Sequence, residues 1–176
     1  MSIRKLFPLA GFLLVLAVGC DQKADPTTAN KKAVQDSFAA MDKQDYARCR
    51  ELWPAVNPPQ KPIKIVGSPD MDREELISFL QTYWKAFPDT KHTIQNLVAE
   101  GDLVVAWVTC EGTQLGDFEG LPASGKHIHY AGVHLVKFAN GKIQEWWVMD
   151  DNLGMMQQLG MELSAPKAPD PNRKGK

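Results

Sequence analysis

The sequence predicts an α+β domain in which three helices precede a mainly antiparallel sheet and a short helix closes the chain. Three observations predict it. Up to residue 87 apolar residues recur at spacings of three and four; from residue 92 they recur at spacings of two; and Asn140-Gly141, the preferred pair for a two-residue hairpin turn, stands between two alternating segments. Helices that come before the strands imply a sheet covered on one face.

In "NKKAVQDSFAAMDK" the residues Val34, Phe38 and Met41 form one apolar stripe. "DYARCRELW" continues with Tyr46, Cys49 and Trp53 and ends at Pro54. The proline-rich stretch after it excludes a central strand, although Ile63 to Val66 can form a short edge strand. The third helix has Asp72 and Glu75 at its start and a stripe of Leu76, Phe79, Leu80, Tyr83 and Phe87 before Pro88 stops it. Then "HTIQNLVAE" alternates, and "LVVAWVTCEGTQ" is apolar on both faces, as a central strand should be. A glycine-rich loop leads to "KHIHYAGVHLVKF", the Asn140-Gly141 turn, "KIQEWWVM" and the closing helix "NLGMMQQLG".

The ends of the chain read differently. Residues 1 to 19 carry Arg4 and Lys5 ahead of an apolar run of about 13 residues, a secretory signal too short for a bilayer that needs ~20. Its ending, "LAVGC", resembles the lipobox of bacterial lipoproteins, which implies a lipidated Cys20 and an exported chain anchored to the bacterial cell membrane, on the periplasmic side in a Gram-negative cell. Residues 20 to 30 read as the lipidated tether and 164 to 176 as a disordered tail, leaving 31 to 163 as one domain large enough for a core. The full chain has a net charge of −1, which becomes −3 without Arg4 and Lys5, and no basic stripe; nucleic acid is not an expected partner. Cys49 and Cys110 are either a disulfide of an oxidising compartment or two buried thiols.

The runs "AEGDLVVAWVTCEGTQLGDFEGLPASGK" and "GVHLVKFANGKIQEWWVMDDNLGMMQQLG" resemble the SnoaL-like polyketide cyclase or ester cyclase group of the nuclear transport factor 2-like superfamily. The resemblance covers about residues 72 to 162. It implies a cone-shaped α+β barrel whose curved sheet wraps round helices to leave an apolar pocket for a small hydrophobic ligand. It also implies acid/base catalysis of an intramolecular aldol closure, by an aspartate near the last strand, without cofactor or metal. Glu145, Trp147 and Asp151 keep the family register, which makes Asp151 the matching aspartate. Gln114 and Trp146 stand where many relatives have histidine.

Strand parity puts Ile143, Glu145, Trp147 and Met149 on one face with Asp151 continuing them, and Trp146, Val148 and Asp150 on the other. Pairing Phe138 with Ile143 across the turn sets His134 at the level of Trp147. The expected pocket therefore contains Asp151 as proton carrier, His134 and Glu145 tuning it, and Tyr130 and Trp147 beside them, with Trp107, Phe79 and Tyr83 as lining or core. The structural alternative is that Asp151 caps the last helix and His134 is a core residue. On this parity Trp146 faces outward and suits a homodimer surface.

Two motifs carry no chemistry. His127 and His129 share a strand face but have no third ligand, so no metal is expected. "GLPASGKH" nearly matches a phosphate-cradling loop, but His127 replaces the hydroxyl that binds magnesium, and a strand follows in place of a helix. The functions left are a cofactor-free cyclase or isomerase, a ligand-binding or scaffold lipoprotein without turnover, and a dimeric structural partner in the cell envelope.

Overall fold

The structure, a computed structural model, describes residues 25–54 and 61–163. Cys20, the signal and the tail lie outside the described residues. The elements in chain order are α1 (Thr27–Asp42), α2 (Tyr46–Leu52), β1 (Ile63–Ile65), α3 (Arg73–Ala86), β2 (Lys91–Glu100), β3 (Leu103–Thr113), β4 (His127–Ala139), β5 (Lys142–Asp150) and α4 (Asn152–Leu159). The five strands form one sheet in the order β1-β5-β4-β3-β2. All pairs are antiparallel except β1 with β5. This is the α+β architecture the sequence predicts, in the cone shape the resemblance implies, with the helices on its inner side.

Local chemistry explains where the elements begin and end. α1 starts at Thr27, inside the stretch read as tether, and its residue Asn30 is already buried. Polar residues that keep a helical register give no apolar stripe to find, so the start was not visible in the pattern. Val34, Phe38 and Met41 are all buried, as their spacing predicts. At α3 the Asp72 carboxylate accepts from the Glu75 N–H and the Glu75 side chain accepts from the Asp72 N–H, a complete capping box. Cys49 and Cys110 are free buried thiols. Burial, with the Asp45 charge, pushes the Cys49 thiol up to about 11, so it stays protonated.

The α3 stripe divides between two tasks. Tyr83 and Phe87 are buried in the core together with Ile77 and Trp84, whereas Leu76, Phe79 and Leu80 are only half-buried because they face a cavity.

Along β3 the parity of Val104, Ala106, Val108, Cys110 and Gly112 is the buried one. The other parity, Val105 and Trp107, lies on the outer face, where Trp107 is 51% exposed. The strand is apolar on both faces because the outer one forms an apolar patch, not because helices cover it. The register sets Trp107 beside Val133, and Val133 beside Met149, on that face.

Asn140 (φ 52°) and Gly141 (φ 71°) both adopt the left-handed conformation that a type I′ hairpin turn needs. Phe138 pairs with Ile143 as expected, but Lys137 then pairs with Glu145, so Gln144 is an extra residue on β5. This β-bulge reverses the parity of everything that follows it. His134 consequently pairs with Val148, not Trp147. Trp146 is 5% exposed and faces inward, which removes it as an outer interface residue; Glu145, Trp147 and Met149 face outward.

Candidate functional site

The inner face of the sheet and the helices enclose a cavity of about 500 Å³. Its walls are Met41 of α1, Phe79, Leu80 and Tyr83 of α3, and His92 of β2. Tyr130 and His134 come from β4, and Trp146, Val148 and Asp150 from β5. Met155 and Met156 of α4 close one side. Most of this lining is apolar, and its few polar groups converge, as in a site for a small organic molecule.

The polar centre is a chain of three side chains on β4 and β5. Trp146 Nε1–H donates to His134 Nδ1 at 2.9 Å. Indole is only a donor, so Nδ1 must offer its lone pair, and the imidazole proton sits on Nε2. That nitrogen lies 3.3 Å from Asp150 Oδ1. His134 is 8% exposed and packs edge-on against Phe38, with ring centroids 5.1 Å apart; Trp146 packs on the same ring at 5.8 Å.

Asp150 fits because its partner on β4 is Gly132. A Cβ at residue 132 would overlap the Asp150 carboxylate. The glycine is therefore the space into which the acid folds. Next to this chain, Tyr83 and Tyr130 share a hydroxyl–hydroxyl contact of 3.2 Å, and burial pushes both phenols up, so both stay protonated.

The predicted site residues separate into two groups. His134, Tyr130, Phe79 and Tyr83 line the cavity. Asp151, Glu145, Trp147 and Trp107 are not among its walls. Asp151 is exposed and accepts from the Gly154 N–H at 2.8 Å as the N-cap of α4, the structural alternative weighed for it above. Glu145 is on the outer face, 3.9 Å from Lys137. The cause is the bulge at Gln144, which exchanges the two parities of β5. Sequence reasoning missed Asp150, Trp146, Gly132 and the His92–Asp42 pair. Gly132 was the available signal: a glycine inside a strand, two residues from a buried histidine, marks a close approach by a neighbouring group.

Gln114 has left the site altogether. It is fully buried, accepts from the Ser124 hydroxyl at 2.6 Å and donates to the Leu121 carbonyl at 3.3 Å, which pins the glycine-rich loop before β4. That loop leads into a strand, and His127 and His129 are both exposed. Among the described residues no group of three or more His, Cys, Asp or Glu side chains is placed to hold a metal ion.

The sequence profile of the SnoaL-like polyketide cyclases matches residues 32–159. The chain belongs to that family. Among curated SnoaL-like relatives, the aklanonic acid methyl ester cyclases DnrD of Streptomyces peucetius and DauD of Streptomyces sp. strain C5 are each 28% identical over 102 residues. The match spans 57% of this chain, 70% of DnrD and 63% of DauD. The fold is similar to that of IdmH from Streptomyces antibioticus, with a TM-score of 0.65 and 28% identity over 75% of this chain and 99% of that one. A SnoaL-like protein of Jannaschia sp. CCS1 shares the fold at a TM-score of 0.69 and 24% identity, over 82% of this chain and all of that one. The family suggests a small-molecule cyclase or isomerase.

Proposed function

We propose that the chain binds a small, largely apolar, oxygenated molecule in the cavity and rearranges it by acid/base chemistry, as an intramolecular aldol cyclase or an isomerase. The observation that carries this reading is the Trp146–His134–Asp150 chain ending in an apolar cavity. Asp150 accepts a proton from a carbon next to a carbonyl and returns it after the bond rearrangement. His134 Nε2–H orients the carboxylate, and Trp146 holds His134 in the tautomer that can do so. The apolar walls exclude the water that would compete for the proton.

The test follows deuterium exchange at the α-carbon of a bound benzo-fused cyclic ketone, 2-tetralone, by mass spectrometry. Asp150→Asn is expected to slow the protein-dependent exchange by about 10² to 10⁴-fold, the usual share of a positioned acid/base group. Equal exchange by Asp150→Asn and the unaltered protein sinks the reading.

A second reading, ligand binding without turnover in an envelope lipoprotein, is supported by Gln114 and Trp146. One is locked into a loop and the other is an indole, where many relatives carry imidazoles. A ligand that co-purifies chemically unchanged, with no exchange by the unaltered protein, distinguishes it. Self-association belongs to the proposal as well, through the outer sheet face: Val105, Trp107, Val133 and Met149 are exposed there on adjacent strands.

A further inference from the structure

The cavity contains a second titratable pair, on the β2 side, which the chain of Trp146, His134 and Asp150 does not use. His92 is one of its walls, with a side chain 14% exposed. Its Nδ1 lies 2.6 Å from Asp42 Oδ1, and its backbone N–H donates to the same carboxylate at 3.1 and 3.3 Å. Asp42 is the last residue of α1, so the ring is held from helix and strand together.

The pairing fixes the charge of the ring. Burial pulls the imidazole pKa down, but the Asp42 hydrogen bond, the Cys110 thiol and the Asp42 charge outweigh it and hold it at about 10. At neutral pH both ring nitrogens carry protons. Nδ1–H is donated to Asp42; the Cys110 thiol, a weak acceptor, is the ring's other hydrogen-bond partner, and Nε2–H is the second charged donor of a ring that lines the cavity. The groups around it are Asp42 and Phe38 from α1, with the Phe38 ring centroid 5.5 Å away, and Cys110 from β3. The sheet register then sets Tyr130 of β4 beside Cys110, and Tyr83 of α3 touches both.

We infer that His92, braced by Asp42, is an anion-accepting subsite of the cavity, and that the ligand is an apolar molecule carrying a deprotonated oxygen, a carboxylate or phenolate. This rests on the cavity being the ligand site proposed above. A charged N–H to an anionic oxygen gives a hydrogen bond about twice as strong as a neutral pair, and a low-dielectric cavity strengthens it further. The apolar body of the ligand would lie against Leu80, Phe79 and Met41, which line the same space. His134 and His92 both pack on Phe38, so the subsite and the Asp150 end of the cavity are separated by about one aromatic ring.

The experiment compares 2-naphthoate with its neutral isostere 2-naphthamide by calorimetry on the full chain at pH 7. Naphthoate is expected to bind at least about tenfold more tightly. His92→Gln and Asp42→Asn should each abolish that preference while leaving naphthamide within about twofold, and Asp150→Asn should keep it. Nitrogen-15 NMR of the unaltered protein should show both His92 ring nitrogens protonated at pH 7, a readout independent of how the variants fold. Equal affinities, a preference that survives His92→Gln, or a neutral His92 ring would overturn the subsite alone. If neither probe binds, the subsite falls together with the cavity reading beneath it.

Discussion

Asp150 and Asp151 are neighbours with separate tasks, and a glycine accommodates each. Asp150 folds over Gly132; Asp151 caps α4 over Gly154, where a Cβ would overlap its carboxylate. Gly132→Ala is therefore expected to leave the strand intact but displace Asp150, and so to lower deuterium exchange about as far as Asp150→Asn does, by 10² or more. Asp151→Ala should leave exchange near the unaltered rate while lowering unfolding free energy by about 0.5–2 kcal/mol, the usual loss of an N-cap. Chemical denaturation and the exchange assay on both variants check this. The reverse pattern, with Asp151→Ala inactive and Gly132→Ala active, would return the proton to Asp151. The cap at Asp151 was one of two readings the sequence left open, whereas the inward place of Asp150 was not legible, since two adjacent acids differ only in which way the strand turns them.

At the scale of elements, the Asp42–His92 pair joins the end of α1 to β2. The His92 pKa is raised from its ordinary 6.5 to about 10, so the folded protein keeps a proton that the unfolded chain releases over that interval. The resulting stability is complete below about pH 6.5 and is lost as pH rises towards 10. Urea unfolding is expected to show stability falling more steeply between pH 7 and 10 in the unaltered protein than in His92→Gln. Parallel profiles would exclude this staple. The elements themselves were largely visible in the pattern. The capping box of α3, the Asn140-Gly141 turn and the change of period near residue 90 are local signals, and local interactions produce them. The bulge at Gln144 was not visible, because a residue left out of the ladder is defined by the partner strand and not by its own neighbours. One such residue moved Asp151, Glu145 and Trp147 away from the cavity and brought Trp146 and Asp150 into it.

For the whole molecule, one face of the sheet is filled by helices and the cavity, and the other carries an exposed apolar patch around Trp107. The sequence shows β3 as apolar on both parities, but not which parity the helices cover; that depends on how the entire sheet curves round them. With the outer face as the surface of self-association, Trp107→Arg is expected to halve the mass measured by sedimentation equilibrium. An unchanged mass would remove that role. His92 and Asp42 were also beyond reach of the pattern, being 50 residues apart and joined only when α1 lies across β2.

The duplicated letters of "WWVMDD" acquire a meaning from the bulge. Trp146 and Asp150 are four residues apart, and so are Trp147 and Asp151, one step along. A slip of β5 by one residue against β4 would exchange its two faces and bring Trp147 and Asp151 to the cavity side in place of Trp146 and Asp150. The segment thus holds a spare copy of its own pair, in the register that such a slip would bring inward.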